Sequence, residues 1–237
     1  MRALVSIICL TVGCTFLVNL GFWQLSRGEE KEEIAALYDQ RNRAVFDHLE
    51  EMRNFMKPDI LVWRKFELSG RFFEKSFLLD NRVKNSKAGY DIFTPFQVTN
   101  GPLVLVSSGW IAQEGSRNQL PVLPAFKKKT AIKGTLTPAP FSGLNFMSSV
   151  LNFEEVEKGR FRIQRIDLEA ISTRLGVELY PLVMYIENPI EGLIENTPDP
   201  NLYQPHKHYA YALQWFSMAF VLACIGFYNL LRFRRRG

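Results

Sequence analysis

The sequence predicts an α+β membrane protein in which two transmembrane helices flank an exported, antiparallel β-rich domain of barrel or sandwich type, with an amphipathic helix beside it. Two uncharged, apolar runs lie near the ends of the chain, one between Arg2 and Arg27 and one from Tyr209 to Leu231. Each run exceeds the ~20 residues that cross the hydrocarbon core of a bilayer as a helix. Between them, several short runs alternate apolar and polar residues with turn residues in between, which is typical of strands.

The first apolar run is expected to form a transmembrane helix over residues 3–26. A secretory signal peptide is the competing interpretation, because a short basic start precedes an apolar run. The run is longer than the roughly 7 to 15 apolar residues of a signal peptide, and no A-x-A-like cleavage site follows it. We therefore expect an uncleaved anchor.

Residues 27–60 are expected to form the amphipathic helix. Ile34, Leu37, Val45 and Leu49 belong to a set of residues that recur at spacings of three or four, with charged residues between them. This pattern favours a helix with one apolar face. The helix either continues from the first span or follows it after a break at Gly28.

Residues 61–190 are expected to form the β-rich domain. Asn85-Ser86, Asn100-Gly101 and Lys158-Gly159 supply turn chemistry, and Asn-Gly between two apolar runs favours a hairpin. Residues 166–175 look helical, with Asp167 as a possible N-cap and Gly176 as the stop. The first strand candidate begins at Leu61, and the others are Phe77–Arg82, Tyr90–Val98, Leu103–Ile111, Thr130–Thr137, Phe161–Arg165 and Leu182–Glu187.

The end of the chain predicts the topology. Residues 191–207 are expected to be a proline-containing linker, residues 208–231 the second transmembrane helix, and residues 232–237 a basic tail. Arginines clustered beside a span mark its cytoplasmic side. We therefore expect a two-pass protein of the bacterial inner membrane, with both termini cytoplasmic and the large loop periplasmic.

Charge and motif content exclude several classes of function. Five of the 29 basic residues are arginines at the termini, so the region between the spans balances 24 basic against 24 acidic residues. A nucleic-acid-binding domain needs a net basic face, so we expect no nucleic-acid partner. The sequence has no G-x-S-x-G, Walker or H-E-x-x-H motif, and its carboxylates are concentrated in helix-like charge runs such as Glu154–Glu157. A membrane-tethered hydrolase stays a secondary alternative.

The start of the second span contains the most informative residues. On a helix, His208, Tyr211, Ala212 and Trp215 share one face. A neutral imidazole is a metal or haem ligand, and a flat macrocycle between the two spans would meet Trp23 on one side and Trp215 on the other. The alternative is an ordinary interfacial belt of aromatic residues with a solvated histidine.

Polar residues deeper in the spans, Asn19 and Gln214, are expected to hydrogen-bond across the helix pair.

Several short motifs, in order along the chain, resemble one known family. Residues 21–27, reading GFWQLSR, with Lys31 four residues on, are similar to the G-x-W-Q-L-x-R-x-x-x-K signature of the surfeit locus protein 1 family. The further matching pieces are Gly70-Arg71-Phe72, Leu79-Asp80-Asn81-Arg82, Gly89-Tyr90-Asp91-Ile92-Phe93-Thr94-Pro95, Val104-Leu105-Val106, Gly109-Trp110-Ile111 and His208-x-x-Tyr211-Ala212-x-x-Trp215-Phe216.

The resemblance implies an assembly factor for haem–copper cytochrome c oxidase, rather than an enzyme, that binds haem a and aids its insertion into the catalytic subunit. It places the family's haem-ligating histidine on His208. Trp23, Tyr211 and Trp215 would pack the ring. From the residues alone, Arg27 and Lys207 could pair with its propionates by charge-assisted hydrogen bonds, or equally extend toward lipid phosphates. The implied partners are the catalytic subunit of the oxidase, the lipid bilayer and, as a further candidate, haem a synthase.

Three alternatives stay open. His206 competes with His208 as the ligand or adds to it. The protein could instead be a scaffold or chaperone that holds the oxidase subunit without binding haem. A membrane-anchored sensor or scaffold whose exported domain does all the work is the third alternative.

Overall fold

The computed structural model describes residues 2–43, 45, 58–113, 115, 119–126, 130–140, 153–196, 198 and 204–234. The chain divides into two compact units, which are considered separately below. One combines Met1–Tyr38 with Asp199–Gly237, and the other is Asp39–Pro198.

The first unit is a pair of long helices, α1 (Arg2–Arg41) and α4 (Pro205–Arg234). Both contain a stretch long and apolar enough to cross a membrane. Large apolar side chains such as Val12, Phe16 and Phe220 are mostly exposed on them. A soluble protein rarely exposes such a continuous apolar surface, so contact with lipid accounts for it better than a buried core helix does.

The two helices pack directly on one another through small residues. A Cβ on Gly21 would lie 2.5 Å from the Phe216 ring, and a Cβ on Gly28 would lie 2.5 Å from the Tyr209 ring. Ala212 of α4 is completely buried. Small residues at these positions let the backbones approach closely, as is usual for helices that associate in lipid.

The amphipathic helix predicted over residues 27–60 differs from the observed structure. Residues 27–41 continue α1 through Gly28 without a break, but Asn42 and Arg43 bend, and Val45 pairs with Lys65 as an isolated bridge. The Arg41 guanidinium donates to the carbonyls of Asp59 and Val62. Residues 44 and 46–57 lie outside the described residues.

The second unit is a closed five-stranded barrel with a three-strand extension. The barrel order is β1-β5-β8-β4-β3, and pairing of β1 with β3 closes it; β2, β7 and β6 extend the sheet from β3. The strands are β1 (Lys65–Phe72), β2 (Ser76–Lys84), β3 (Lys87–Val98), β4 (Leu103–Ala112), β5 (Thr130–Thr137), β6 (Glu154–Glu157), β7 (Arg160–Ile163) and β8 (Leu179–Ile186), with short helices α2 (Pro58–Leu61) and α3 (Leu168–Leu175). The α+β fold class with two flanking apolar helices is therefore confirmed.

Closure of the barrel depends on Gly70. It pairs with Val98 across β1 and β3, and a Cβ at this position would lie 2.1 Å from the Gln97 carbonyl oxygen. Such a separation is incompatible with any larger residue unless the strands move apart. The glycine of the Gly70-Arg71-Phe72 motif is thus explained by backbone approach.

Alternate residues of the barrel strands point inward and form the main core. Phe66, Phe96, Val106, Tyr180 and Met184 are all fully buried in it. A second cluster on the outer face of the sheet packs against α3. Because β4 and β8 are covered on both faces, nearly every residue in them is buried, as expected for a strand between two apolar layers.

Local sequence signals located most of the turns. Asn85, Ser86 and Asn100 adopt positive φ between paired strands, which is the conformation that hairpin turns require. Asp167 caps α3 by accepting from the Ala170 amide, and Gly176 ends it in the left-handed region. The hairpins and both ends of this helix are as predicted.

Two stretches differ from the prediction in the type of secondary structure, while the bounds of β2, β3, β4, β7 and β8 differ from the predicted ones by one to three residues. β1 begins at Lys65 rather than Leu61, because Pro58–Leu61 forms the single helical turn α2. Glu154–Glu157, whose charges suggested a helix, is strand β6. It pairs antiparallel with β7, where Glu154 meets Arg162 at 3.3 Å and Glu157 meets Arg160 at 2.7 Å, so cross-strand ion pairs explain the acidic run.

Candidate functional site

The candidate site is the point where His208 meets the first helix. His208 lies in the first turn of α4, half-buried, and its Nδ1 lies 2.7 Å from Oε1 of Gln24 on α1. An amide oxygen only accepts hydrogen bonds, so Nδ1 carries the proton in this pair. In a neutral ring the lone pair is then on Nε2, the nitrogen through which such a ring can bind a metal.

His206 is in a different environment. It is two residues before His208, about 200° around the helix, and its side chain is exposed. The helix thus turns the two histidines in nearly opposite directions.

Tyr211 and Trp215 flank His208 on the same side of α4. Tyr211 is 53% exposed and Trp215 is half-buried, whereas the neighbouring Ala212 is buried. The imidazole therefore lies at the edge of the helix contact, between the buried seam and an exposed aromatic surface. This surface can accept a flat apolar group beside the histidine.

Trp23 is placed away from this edge. Gly21 and Gln24 face α4, and Trp23 is about 200° from the first and about 100° from the second around the helix. Its side chain is 52% exposed. The structure does not bring Trp23 into the contact between His208 and Gln24.

At the level of His208 the two helices pack too closely for a macrocycle to lie between them. Gly21 packs on Phe216, eight residues after His208 in α4, and Gly28 packs on Tyr209, the residue that follows His208. A ring beside His208 would therefore lie on the exposed flank of the helix pair, along Tyr211, rather than between the helices.

Arg27 lies nearby with a partner of its own. Its Nη1 is 2.6 Å from Glu30 Oε2, and both side chains are about half exposed. One turn further along α1, the Tyr209 hydroxyl donates to Glu32 Oε2 at 2.6 Å. Two polar contacts, Gln24–His208 and Glu32–Tyr209, thus join the helices at this end.

Gln24 was not predicted as a residue of the helix contact, for which the sequence favoured Asn19 and Gln214. Asn19 instead donates to the Thr15 carbonyl of its own helix, and the Gln214 side chain is exposed. The sequence signal for Gln24 is its position around the helix. Gln24 lies three residues after Gly21 and four before Gly28, so it shares the helix face on which the two glycines permit close approach.

In the barrel domain, several of the sequence motifs form a buried polar cluster. Arg82 Nε lies 3.0 Å from Asp91 Oδ2, and Asn196 donates to the Ser107 hydroxyl at 3.3 Å. Burial raises the pKa of Asp91, while Arg82 and a hydrogen bond with Asn196 partly offset this effect. Asn196 follows Ile194, which exchanges two backbone hydrogen bonds with Trp110. These motif residues thus hold the segment around Ile194 on β4, which is a structural role.

The ligand chemistry at His208 is that of a single histidine. In the part of the chain that the structure describes, no three His, Cys, Asp or Glu side chains are grouped to hold a metal ion. A lone imidazole with an oriented ring would be suited to haem iron, since one protein ligand is enough where the macrocycle supplies the other nitrogens.

Two helices long and apolar enough to cross a membrane, formed by the two ends of the chain, and a barrel domain formed by the sequence between them define the class of protein. Residues 11–220 match the model of the SURF1 family. The chain belongs to the SURF1 family.

The relatives agree with this assignment. A SURF1-like protein of Rickettsia felis is 26% identical over 219 residues, covering 89% of this chain and 90% of the relative. A SURF1-like protein of Rickettsia conorii is 27% identical over 224 residues, covering 89% and 85%. The cytochrome oxidase assembly protein SHY1 of Saccharomyces cerevisiae is 31% identical over 100 residues, which are 40% of this chain and 25% of the yeast protein.

Proposed function

We propose that this protein is an assembly factor for haem–copper cytochrome c oxidase that binds haem a through His208 and aids its insertion into the catalytic subunit. Membership of the SURF1 family and the name of the yeast relative support the assembly role. The observation that carries the haem proposal is the contact of His208 Nδ1 with Gln24 Oε1, because it leaves Nε2 as the available ligand nitrogen.

The residues around His208 would have different roles in holding haem. Nε2 of His208 would bind the iron, and Tyr211 and Trp215 would offer aromatic surface on the same flank. Trp23 would contribute only from the outer surface of α1. Arg27 would have to exchange Glu30 for a propionate, and Lys207, one residue from the ligand, offers a second cation for such a pair.

The proposed setting is the inner membrane of a bacterium. Both termini would be cytoplasmic, following the arginines after the second span, and the barrel would face the periplasm, where it can dock on the oxidase. Full-length relatives in Rickettsia fit this setting. Haem a synthase is the proposed donor. No catalytic step is assigned to the protein itself.

A scaffold that binds no haem is the second candidate. The direct packing of Gly21 on Phe216 and of Gly28 on Tyr209 favours it, since the closed helix pair offers haem a flank rather than a slot. In that case the barrel and helices would hold the oxidase subunit open while haem arrives from another protein.

Rescue of oxidase assembly separates these candidates. The wild-type chain, His208→Ala and His206→Ala would each be expressed in a bacterial strain that lacks its own SURF1 family protein, and the haem a content of the purified catalytic subunit would be measured. The haem proposal predicts a severalfold loss for His208→Ala and none for His206→Ala. Full rescue by His208→Ala would leave the scaffold function instead.

A further inference from the structure

We propose that Gln24 is the positioning residue for His208, holding the imidazole with Nδ1 protonated and Nε2 available as the ligand. The inference rests on the proposed function for its biological meaning, but the contact itself can be tested without haem. It assigns a specific task to a residue of the first helix that acts through another side chain.

The geometry around Gln24 supports a fixed orientation. Gln24 is half-buried on α1, between two close approaches of the helices: Gly21 on Phe216 on one side and Gly28 on Tyr209 on the other. These contacts limit rotation and sliding of the helices at this level. The packing of the two helices, rather than a flexible loop, therefore holds the Gln24 amide beside His208.

The chemistry of the pair explains why an amide is suitable. A histidine that ligates a metal through one nitrogen almost always donates its other N–H to an oxygen, and this second contact fixes the tautomer and the ring plane. Gln24 Oε1 is such an oxygen, at 2.7 Å. The neutral amide orients the imidazole with a weaker pull on the proton than a carboxylate would exert, which suits a ligand that must later release its cargo.

The first test uses the haem-free protein. Full-length protein with ¹⁵N-labelled histidine would be studied by NMR in detergent micelles, with the His208 signals assigned by their loss in His208→Ala. We expect the Nδ1–H form to dominate in the wild type and the Nε2–H form to gain population in Gln24→Leu. Gln24→Glu should keep the Nδ1–H form, because its side chain has an oxygen at the same distance from the backbone.

Gln214→Leu is the matched control, since it makes the same replacement at an exposed position of the second helix. It should leave the His208 signals unchanged. A correctly folded Gln24→Leu variant with the wild-type tautomer would overturn the proposal. If Gln24→Leu does not fold, Gln24→Glu provides the test. A His208 Nδ1–H signal that shifts, relative to the wild type, toward stronger hydrogen bonding supports the contact, and an unshifted signal contradicts it.

The second test uses protein purified with haem from a host that makes haem a. A stronger acceptor at Nδ1–H gives the ring more anionic character and stabilises ferric iron. The haem midpoint potential should therefore fall in Gln24→Glu and rise in Gln24→Leu, and Gln24→Leu should bind haem about 10 to 100-fold more weakly. Unchanged potentials and affinity would overturn the role toward haem.

The two tests separate this inference from the proposed function. A wild-type protein that acquires no haem contradicts the haem proposal and, with it, the role of Gln24 toward haem, while the NMR result still decides whether Gln24 orients His208. Haem that depends on His208 but is indifferent to Gln24 supports the proposed function and contradicts this inference.

Discussion

The barrel domain and the helix pair solve the same packing problem in opposite ways. The barrel buries large side chains, including Phe66, Phe96 and Tyr180, each essentially inaccessible to solvent. The helix pair leaves its large apolar residues exposed and buries small ones such as Gly21 and Ala212.

The difference follows from the solvent that each unit faces. In water, burying apolar area stabilises the fold by about 25 cal/mol per Å², so the barrel gains from volume. In lipid, the surroundings are as apolar as the side chains, and helices associate through close packing and hydrogen bonds instead. The barrel should therefore be most sensitive to loss of volume, and the helix pair to added volume and to loss of the Gln24–His208 contact.

The largest expected effect is the loss of a barrel side chain. Phe96→Ala removes a fully buried ring that also contacts Phe72 edge-on, with centroids 4.9 Å apart. We expect a fall of about 3 to 5 kcal/mol in the free energy of unfolding, measured by denaturant unfolding of the detergent-solubilised protein followed by near-UV circular dichroism. Val122→Ala, at a residue that is 86% exposed, should change it by less than about 0.5 kcal/mol.

Added volume should disrupt the helix pair. Gly21→Ile places a branched side chain where a single Cβ would already meet the Phe216 ring at 2.5 Å, an overpacking that costs about 1 to 3 kcal/mol. Cys14 Sγ lies 3.8 Å from the Ala219 carbonyl oxygen, so an oxidant-induced disulfide between Cys14 and Ala219→Cys, with Cys9 and Cys224 replaced by serine, reports the closed pair.

The disulfide yield should fall severalfold in Gly21→Ile and stay high in Val12→Ile, whose position is 63% exposed. Equal yields in both would show that close approach at Gly21 does not hold the helices together.

A moderate effect is expected from the buried polar cluster of the barrel. Asp91→Ala removes the partner of Arg82 and a hydrogen bond to Asn196. Because the Arg82 side chain is 35% exposed and can be partly hydrated, the cost should be about 1 kcal/mol, near the low end for an unsatisfied group. The free energy of unfolding measures it, and a loss above that of Phe96→Ala would contradict the view that volume dominates in the barrel.

The smallest effect is expected at a surface ion cluster. Glu187 lies 2.8 Å from Lys65 and 3.2 Å from Lys133, and the hydrogen bond with Lys65, the largest cause, helps to lower its pKa. A lowered pKa stabilises the fold above the unfolded-state pKa, near 4.3, and this stabilisation is lost as the pH falls through the folded-state pKa.

Glu187→Gln should therefore reduce stability at neutral pH by about 0.5 kcal/mol and flatten the stability profile below about pH 5. Unfolding midpoints measured across that range check the sign. A variant with an unchanged acid limb would show that the lysines do not stabilise the carboxylate.

Strands, turns and helix ends could be predicted from the sequence, because each depends on residues close together in the chain. The predicted strand Thr130–Thr137 has the observed bounds, and Asp167 and Gly176 end α3 as expected. Closure of β1 on β3, and the parallel pairing of β2 with β7 and of β4 with β8, join residues that are distant in the chain. No turn signal or hydrophobic period encodes those pairings.

The candidate site could likewise be predicted only in part. His208, Tyr211 and Trp215 share a face that helical spacing alone identifies. Gln24 cannot be selected from the sequence, because its role depends on which side of α1 faces α4. Helical spacing alone does not distinguish it from Trp23, which faces outward. Rotational position in a helix pair is set by packing, which single-helix periodicity does not report.

The most direct test of the account is the absorption spectrum of the full-length protein purified from a host that makes haem a. We predict a Soret band that is lost in His208→Ala and kept in His206→Ala, because the His208 ring is held against the first helix and the His206 side chain is exposed. A band that survives in His208→Ala, or a colourless wild-type protein that still supports oxidase assembly, would contradict it.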